Sequence, residues 1–209
     1  MSRPWGGAVR GVPVSSAPML VHRVQQQFID SADLTYQCAE ALGASVDAAI
    51  GALLATVTGG GKVVACGLGS GGVLAQLLVA HLVNGLERER PALPALLLQP
   101  DAGAPDAVLR QLGALAAADD LLLLVGDTTE PERWQALVRT AHERDMVVVA
   151  LTGLGAGAVA RVLRDTDVHV AVPHTRLTRV HEVHHLVLNC MCDGIDAQLL
   201  GDAADLENT

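Results

Sequence analysis

The stretch Gly61–Gly72, "GKVVACGLGSGG", decides how this chain is read. Four apolar residues in a row, Val63 to Cys66, are too short for a helix and suit a strand buried on both faces. The glycines that follow make a tight turn, and "VLAQLLVAHL" then continues with helical spacing. A strand, a glycine turn and a helix form the opening of a βαβ unit.

The same alternation runs to the end of the chain. Strands are expected at "ALLLQ" (Ala95–Gln99), "LLLLV" (Leu121–Val125), "MVVVALT" (Met146–Thr152) and "DVHVAV" (Asp167–Val172). Helices are expected from Val73 to Glu87, Ala107 to Ala117, Glu130 to Arg144 and Ala156 to Leu163, with a last one ending near Leu200. Continuous rather than alternating apolar runs mean strands covered on both sides. The fold class is therefore α/β, a doubly wound five-stranded parallel sheet flanked by helices. Ahead of it, "VHRVQQQFIDSADLTYQCAEAL" places Val21, Val24, Phe28, Leu34, Cys38 and Leu42 near one helical stripe. "SVDAAIGALLATVT" reads as a second extra N-terminal helix, with Ser45 as N-cap. Residues 1–18, rich in Gly, Pro and Ser, read as a flexible tail, and residues 19–209 as a single domain.

Composition narrows the function. Half of the 209 residues are hydrophobic but only 2% are aromatic, so Ala, Val and Leu must build the core. A net charge of −9 without a basic patch argues against direct nucleic-acid binding. There is no cleavable leader pattern and no apolar run that reads as a membrane span, so a cytoplasmic location is expected. Cys38, Cys66, Cys190 and Cys192 sit in apolar runs without zinc-finger spacing and read as buried, reduced thiols.

Two motifs ask for chemistry. Gly67-x-Gly69-x-x-Gly72 matches a dinucleotide fingerprint, but no clear acidic residue closes the second strand, and a tight strand-to-helix turn explains the glycines as well. His181, Glu182 and His185 spell H-E-x-x-H, the helical zinc-peptidase spacing. No third-ligand motif follows, and the simpler reading makes His181, His184 and His185 polar helix residues at a subunit contact.

"GKVVACGLGSGG", "ERERPALPALLL", "RDMVVVALTG" and above all "RLTRVHEVHHLVLNCMCDGID" together resemble SIS (sugar isomerase) domain proteins of the phosphoheptose isomerase group. Within that group the likeness is closest to the DnaA initiator-associating (DiaA) branch. It covers about Val21 to Leu200 and implies a flavodoxin-like SIS fold. It also implies a homotetramer with sites at subunit contacts.

Phosphoheptose isomerases shift a proton between neighbouring carbons of a sugar phosphate, often with zinc. The resemblance implies a histidine and a glutamate on the helix after the first loop, where this chain has Leu77 and His81. It implies a glutamine and a histidine on the last helix, where His181 and Asn189 stand. No catalytic residue is therefore expected among Leu77, His81, His181 and Asn189. No metal is expected either, a residual zinc site at His81 and His181 being the minor alternative.

The phosphate loop is thinned as well. Gly67, Gly69, Ser70, Gly71 and Thr128 are what remains of a phosphosugar cradle. Leu68 and Gly71 replace polar residues of the family, and Asp127 and Glu130 bring negative charge to a dianion's place. The segment Asp101–Asp120 is shorter than in that family by about ten residues, the scale of a functional loop. The resemblance thus implies a non-catalytic adaptor that binds the replication initiator, with Leu199 and Leu200 as partner-binding residues. The alternative is a phosphoheptose isomerase or phosphosugar-binding protein with a remodelled site.

Overall fold

The computed structural model describes residues 17–101, 104, 106–126 and 128–201. Residues 1–16 of the expected tail and Asp127 fall outside the described residues, while Ala17 and Pro18 already belong to the first helix. Helix α1 (Ala17–Thr58) leads into strand β1 (Val63–Leu68), a single 3-10 turn (Gly69–Gly71) and helix α2 (Gly72–Asn84). Then come β2 (Ala95–Leu97), α3 (Ala107–Leu115), β3 (Leu121–Gly126), α4 (Pro131–His142), β4 (Val147–Gly153), α5 (Gly157–Ala160), β5 (Val168–Val172) and α6 (Leu177–Leu200).

All strand pairs are parallel and the sheet order is β2-β1-β3-β4-β5. Every residue of β1 and β3 is buried, which is why these strands read as unbroken apolar runs. Side chains alternate between two cores. Val63, Ala65, Leu121, Leu123 and Val125 face a layer of α1, α2 and α6. Val64, Cys66, Leu122 and Leu124 face a layer of α3, α4 and α5, centred on the fully buried Trp134. Pro131 opens α4 at its first turn, where the missing N–H costs nothing.

Asp120 ties the starts of β1 and β3 together. Its carboxylate accepts from the Lys62 backbone N–H at 2.9 Å, from Lys62 Nζ at 2.6 Å and from the Ala117 N–H at 2.8 Å. The α2–β2 connection is locked by the ion pair of Arg90 with Asp196 of α6, both side chains nearly fully buried. The same guanidinium donates to the carbonyls of Leu82 and His81, at 2.8 and 3.0 Å, so it caps the C-terminal end of α2.

Several expectations are corrected. The two N-terminal helices are one, and Ser45 is no N-cap: its hydroxyl donates to the Leu42 carbonyl within the helix at 2.9 Å. The buried stripe Leu34, Cys38, Leu42, Ala49, Leu53 runs through the Gly43-Ala44-Ser45 region without a break, and packing outweighs the local stop signal. The other end of that stripe is exposed: Val24 is 54% and Phe28 74% accessible. By length and composition alone, α1 is long and apolar enough to cross a membrane, a test that the core helix of a soluble protein also passes. Its Gly, Ala and Thr content keeps charges sparse, while its C-terminal half packs on α6 and the sheet. Helix α2 stops at Asn84, with Gly85 at φ 84°, rather than at Glu87. The remaining elements differ from expectation mainly at their ends: β2 keeps only Ala95–Leu97 and α5 only Gly157–Ala160.

Candidate functional site

In the observed strand order, the chain leaves β1 toward β2 on one side while β3 lies on the other. Such a switch point opens a crevice beyond the C-terminal ends of β1 and β3. The turn Gly67–Gly71 and the β3–α4 connection flank it. Their backbones touch. A Cβ on Gly71 would lie 2.3 Å from the Val125 carbonyl oxygen, and one on Gly126, at φ 149°, would lie 2.2 Å from that of Leu68. Close backbone packing in a tight strand-to-helix turn therefore accounts for these glycines. The hydroxyls on the two flanking segments are those of Ser70, exposed, Thr128, half-buried, and Thr129, exposed. Glu130 stands at the N-cap of α4 and pairs with Arg133 at 3.4 Å.

The other candidate positions lie on α2 and α6, which pack against each other. Leu77 and His81 are half-buried on successive turns of α2. His181 and Asn189 are half-buried on α6, and the His181 ring centroid lies 6.1 Å from that of His184. The Asn189 Oδ1 is enclosed without a hydrogen-bond partner. The four positions thus supply an alkyl group, two imidazoles and a carboxamide. Catalytic zinc takes three protein ligands drawn from imidazole, thiolate or carboxylate, so this donor set does not fit it. Among the described residues, no three His, Cys, Asp or Glu side chains gather as a metal-holding group.

The H-E-x-x-H pattern is put to another use. Glu182 accepts two hydrogen bonds from Arg179 Nη1, at 2.8 and 2.6 Å, and one from Ser31 Oγ at 2.7 Å. Partial burial works to raise its pKa, but these hydrogen bonds and the charges of Arg179 and Arg176 outweigh it and hold the carboxyl below its ordinary range. A carboxylate so held is a poor general base. Arg179, 5% exposed, also donates through Nη2 to the Gln27 carbonyl at 2.9 Å and side chain at 2.6 Å. The motif is a clamp between α6 and α1.

His184 is expected as a polar helix residue at a subunit contact, but it is buried within its own chain. It is fully buried, and its Nε2 lies 3.1 Å from the Thr152 carbonyl at the end of β4. Burial pushes its pKa down to about 4; the hydrogen bond to Thr152 resists and the nearby His181 adds to the fall. Thr152 Oγ1 meets His169 Nε2 of β5 at 2.8 Å. On the far side of the sheet, His142 and Asp167 pair at 2.7 Å, and Asp167 also accepts the Val148 and Arg164 N–H groups. Nothing in the linear pattern marked these contacts, whose partners, Arg164 and Asp167 excepted, lie 17 to 32 residues apart in the chain.

The cysteines also divide. Cys38, Cys66 and Cys192 are buried as expected, but Cys190 is exposed on α6. Burial pushes the Cys66 and Cys192 thiols up to about 12, so neither is a nucleophile. At the end of α6, Leu199 is 38% exposed and Leu200 half-buried, so of the two Leu199 is the more available for contact.

This architecture, with its crevice at the switch point and its helix-borne polar positions, is matched by the SIS domain model over residues 27–153. The chain belongs to the SIS domain family. A protein named phosphoheptose isomerase from Methylibium petroleiphilum is 42% identical over 88% of this chain and 97% of its own length. One named DnaA initiator-associating protein DiaA, from Edwardsiella ictaluri, is 34% identical over 89% of this chain and 100% of its own. The solved phosphoheptose isomerase from Francisella tularensis superposes with a TM-score of 0.76 at 33% identity, covering 84% of this chain and 97% of that one.

Proposed function

We propose that this protein is a non-catalytic SIS-domain adaptor of the cytoplasm. It assembles as a homotetramer, binds the replication initiator and regulates the start of chromosome replication. It needs no cofactor and contacts neither nucleic acid nor membrane. One observation carries the reading: Asn189 stands where the family resemblance calls for a proton-transferring histidine. A carboxamide has no pKa in the working range and cannot take that proton. Leu77 at the partner position on α2 removes a second such group. The negative charge of Glu130 beside the crevice opposes a phosphate dianion. The DiaA relative's name gives the corresponding activity, association with the DnaA initiator. Four copies of one weak contact on a symmetric assembly would gain avidity.

The second reading is a phosphoheptose isomerase, or a phosphosugar-binding protein, with a remodelled site. The name of the 42% identical relative favours it. So do the hydroxyls kept at Ser70 and Thr128. A coupled assay with sedoheptulose 7-phosphate separates the two, and turnover at ordinary enzyme rates overturns the adaptor. The direct test is a pulldown with the initiator's N-terminal domain, followed by Leu199→Ala and Leu200→Ala. Retention that falls with Leu199→Ala supports the adaptor, and no retention at micromolar concentration counts against it.

A further inference from the structure

The C-terminal end of α6 is held by a short arm that follows α2. The chain turns back at Gly85, where a Cβ would lie 2.6 Å from the Arg88 carbonyl oxygen. It then returns along the last turn of α2, and the Leu93 N–H donates to the Leu82 carbonyl at 3.0 Å. Between these points runs Leu86–Arg90, "LERER". Its side chains go two ways. Leu86 packs on the core shared by α1, α2 and α6. Arg90 is the buried partner of Asp196, and Arg88 Nη1 donates at 2.7 Å to the carbonyl of Gly201, the C-cap of α6. Glu87 and Glu89, which alternate with the arginines, are exposed, and neither enters an ion pair among the described residues.

The arm thus spends its positive charge inside the fold, on a carboxylate and on the negative end of a helix dipole. What it shows to solvent is negative. Beside it stands Leu199, 38% exposed, two residues before the glycine that Arg88 holds. Leu200 is half-buried next to it. An accessible apolar side chain and two carboxylates without partners therefore lie on either side of the Arg88–Gly201 contact.

We propose that Leu86–Arg90 and the last turn of α6 form one docking surface, and that its occupant is an amphipathic segment of the initiator carrying Lys or Arg beside its apolar residues. Leu199 meets the apolar side of that segment, and Glu87 and Glu89 meet its basic side. Arg88 is a positioning residue: it fixes the helix end that presents Leu199. The inference rests on the adaptor reading and adds the chemistry of the partner to it. Charge complementarity selects the occupant. An acidic segment or an anionic lipid surface would be repelled by the free carboxylates and by a net charge of −9. An uncharged apolar partner would strip water from those carboxylates and give nothing back.

Biolayer interferometry of the full chain on the immobilised initiator N-terminal domain tests it. Wild-type binding is expected to weaken as salt rises from about 0.05 to about 0.5 M, because contacts between exposed charges are screened. Glu87→Lys/Glu89→Lys is expected to weaken binding by about tenfold or more and to flatten its salt dependence. Glu132→Lys/Glu143→Lys makes the same change of net charge on α4, across the sheet, and is expected to bind like wild type. Arg88→Met is expected to weaken binding, while Arg88→Lys, which keeps a donor for the Gly201 carbonyl, retains it. Melting temperatures of the variants separate lost contact from lost fold, and the salt dependence of wild type needs no variant at all. Failure of wild type to bind at micromolar concentration overturns the adaptor reading and this inference together. Wild-type binding that Leu199→Ala weakens but salt leaves unchanged overturns this inference alone. So does equal binding by the two charge-reversed proteins, or undiminished binding by Arg88→Met.

Discussion

Arg179 and Glu182, one turn apart on α6, are joined by hydrogen bonds of 2.6 and 2.8 Å, and the arginine reaches onward to Gln27 of α1. The residue that would be the base of a zinc peptidase is thereby a structural anion. Glu182→Gln leaves a buried guanidinium short of its charge partner; with the carboxylate 45% exposed and screened by solvent, the cost is about 0.5–1 kcal/mol. The depressed carboxyl contributes stability above its ordinary range, near pH 4.5, and loses it as the pH falls through the lower folded-state value. Urea midpoints of wild type and Glu182→Gln should therefore differ at pH 7 and converge in acid. Equal midpoints at pH 7 would remove the clamp from the account.

His184 also loses stability as the pH falls, but because burial favours its neutral form rather than its charged one. Its folded pKa of about 4 lies below the unfolded 6.5, so the unfolded chain takes up the proton first. Stability is complete above about pH 6.5 and falls between there and about pH 4, by up to about 3 kcal/mol. His184→Gln, which can still donate to the Thr152 carbonyl, should flatten that slope while leaving stability at pH 7.5 within about 1.5 kcal/mol. Urea unfolding at pH 7.5, 6 and 5 measures it.

The buried Arg90–Asp196 pair should be costly to break from either side. Asp196→Asn or Arg90→Met is expected to cost about 3–5 kcal/mol, because each leaves a charge in the interior. Arg90→Met also strips the cap from the C-terminal carbonyls of α2. The double variant Arg90→Met/Asp196→Asn should be less damaging than the sum of the singles, as a double-mutant cycle in urea would show.

Glycine substitutions separate packing from propensity. Gly71→Ala drives a Cβ to 2.3 Å from the Val125 carbonyl oxygen, and should cost several kcal/mol or abolish soluble expression. Gly51→Ala, on the exposed face of α1 with nothing within 4 Å, should instead stabilise by about 0.5–1 kcal/mol. Thermal melts of the two variants check the contrast.

Much of the architecture was legible in the chain. The runs at Val63–Cys66 and Leu121–Val125 are apolar at every position because helices cover both faces of those strands, and that shows in a linear pattern. Helix ends were less legible. Gly43-Ala44-Ser45 looks like a stop followed by a cap, yet α1 continues, because the stripe on either side of it faces the same core. The candidate site was legible as residue types only. Leu77 and Asn189 announce the loss of proton-transferring groups wherever they sit, since side-chain chemistry belongs to the residue.

What the sequence determined alone was the parallel α/β sheet, the strand count and the inventory of reactive groups, all properties of local composition and period. Only the tertiary structure decided how those groups are spent: Glu182 on Arg179, His184 on the Thr152 carbonyl, Arg90 on Asp196, and the stripe of α1 left half uncovered. Those outcomes depend on which residues distant in the chain meet in a low-dielectric interior. No period or motif encodes such meetings, because their energies arise only once the layers have packed.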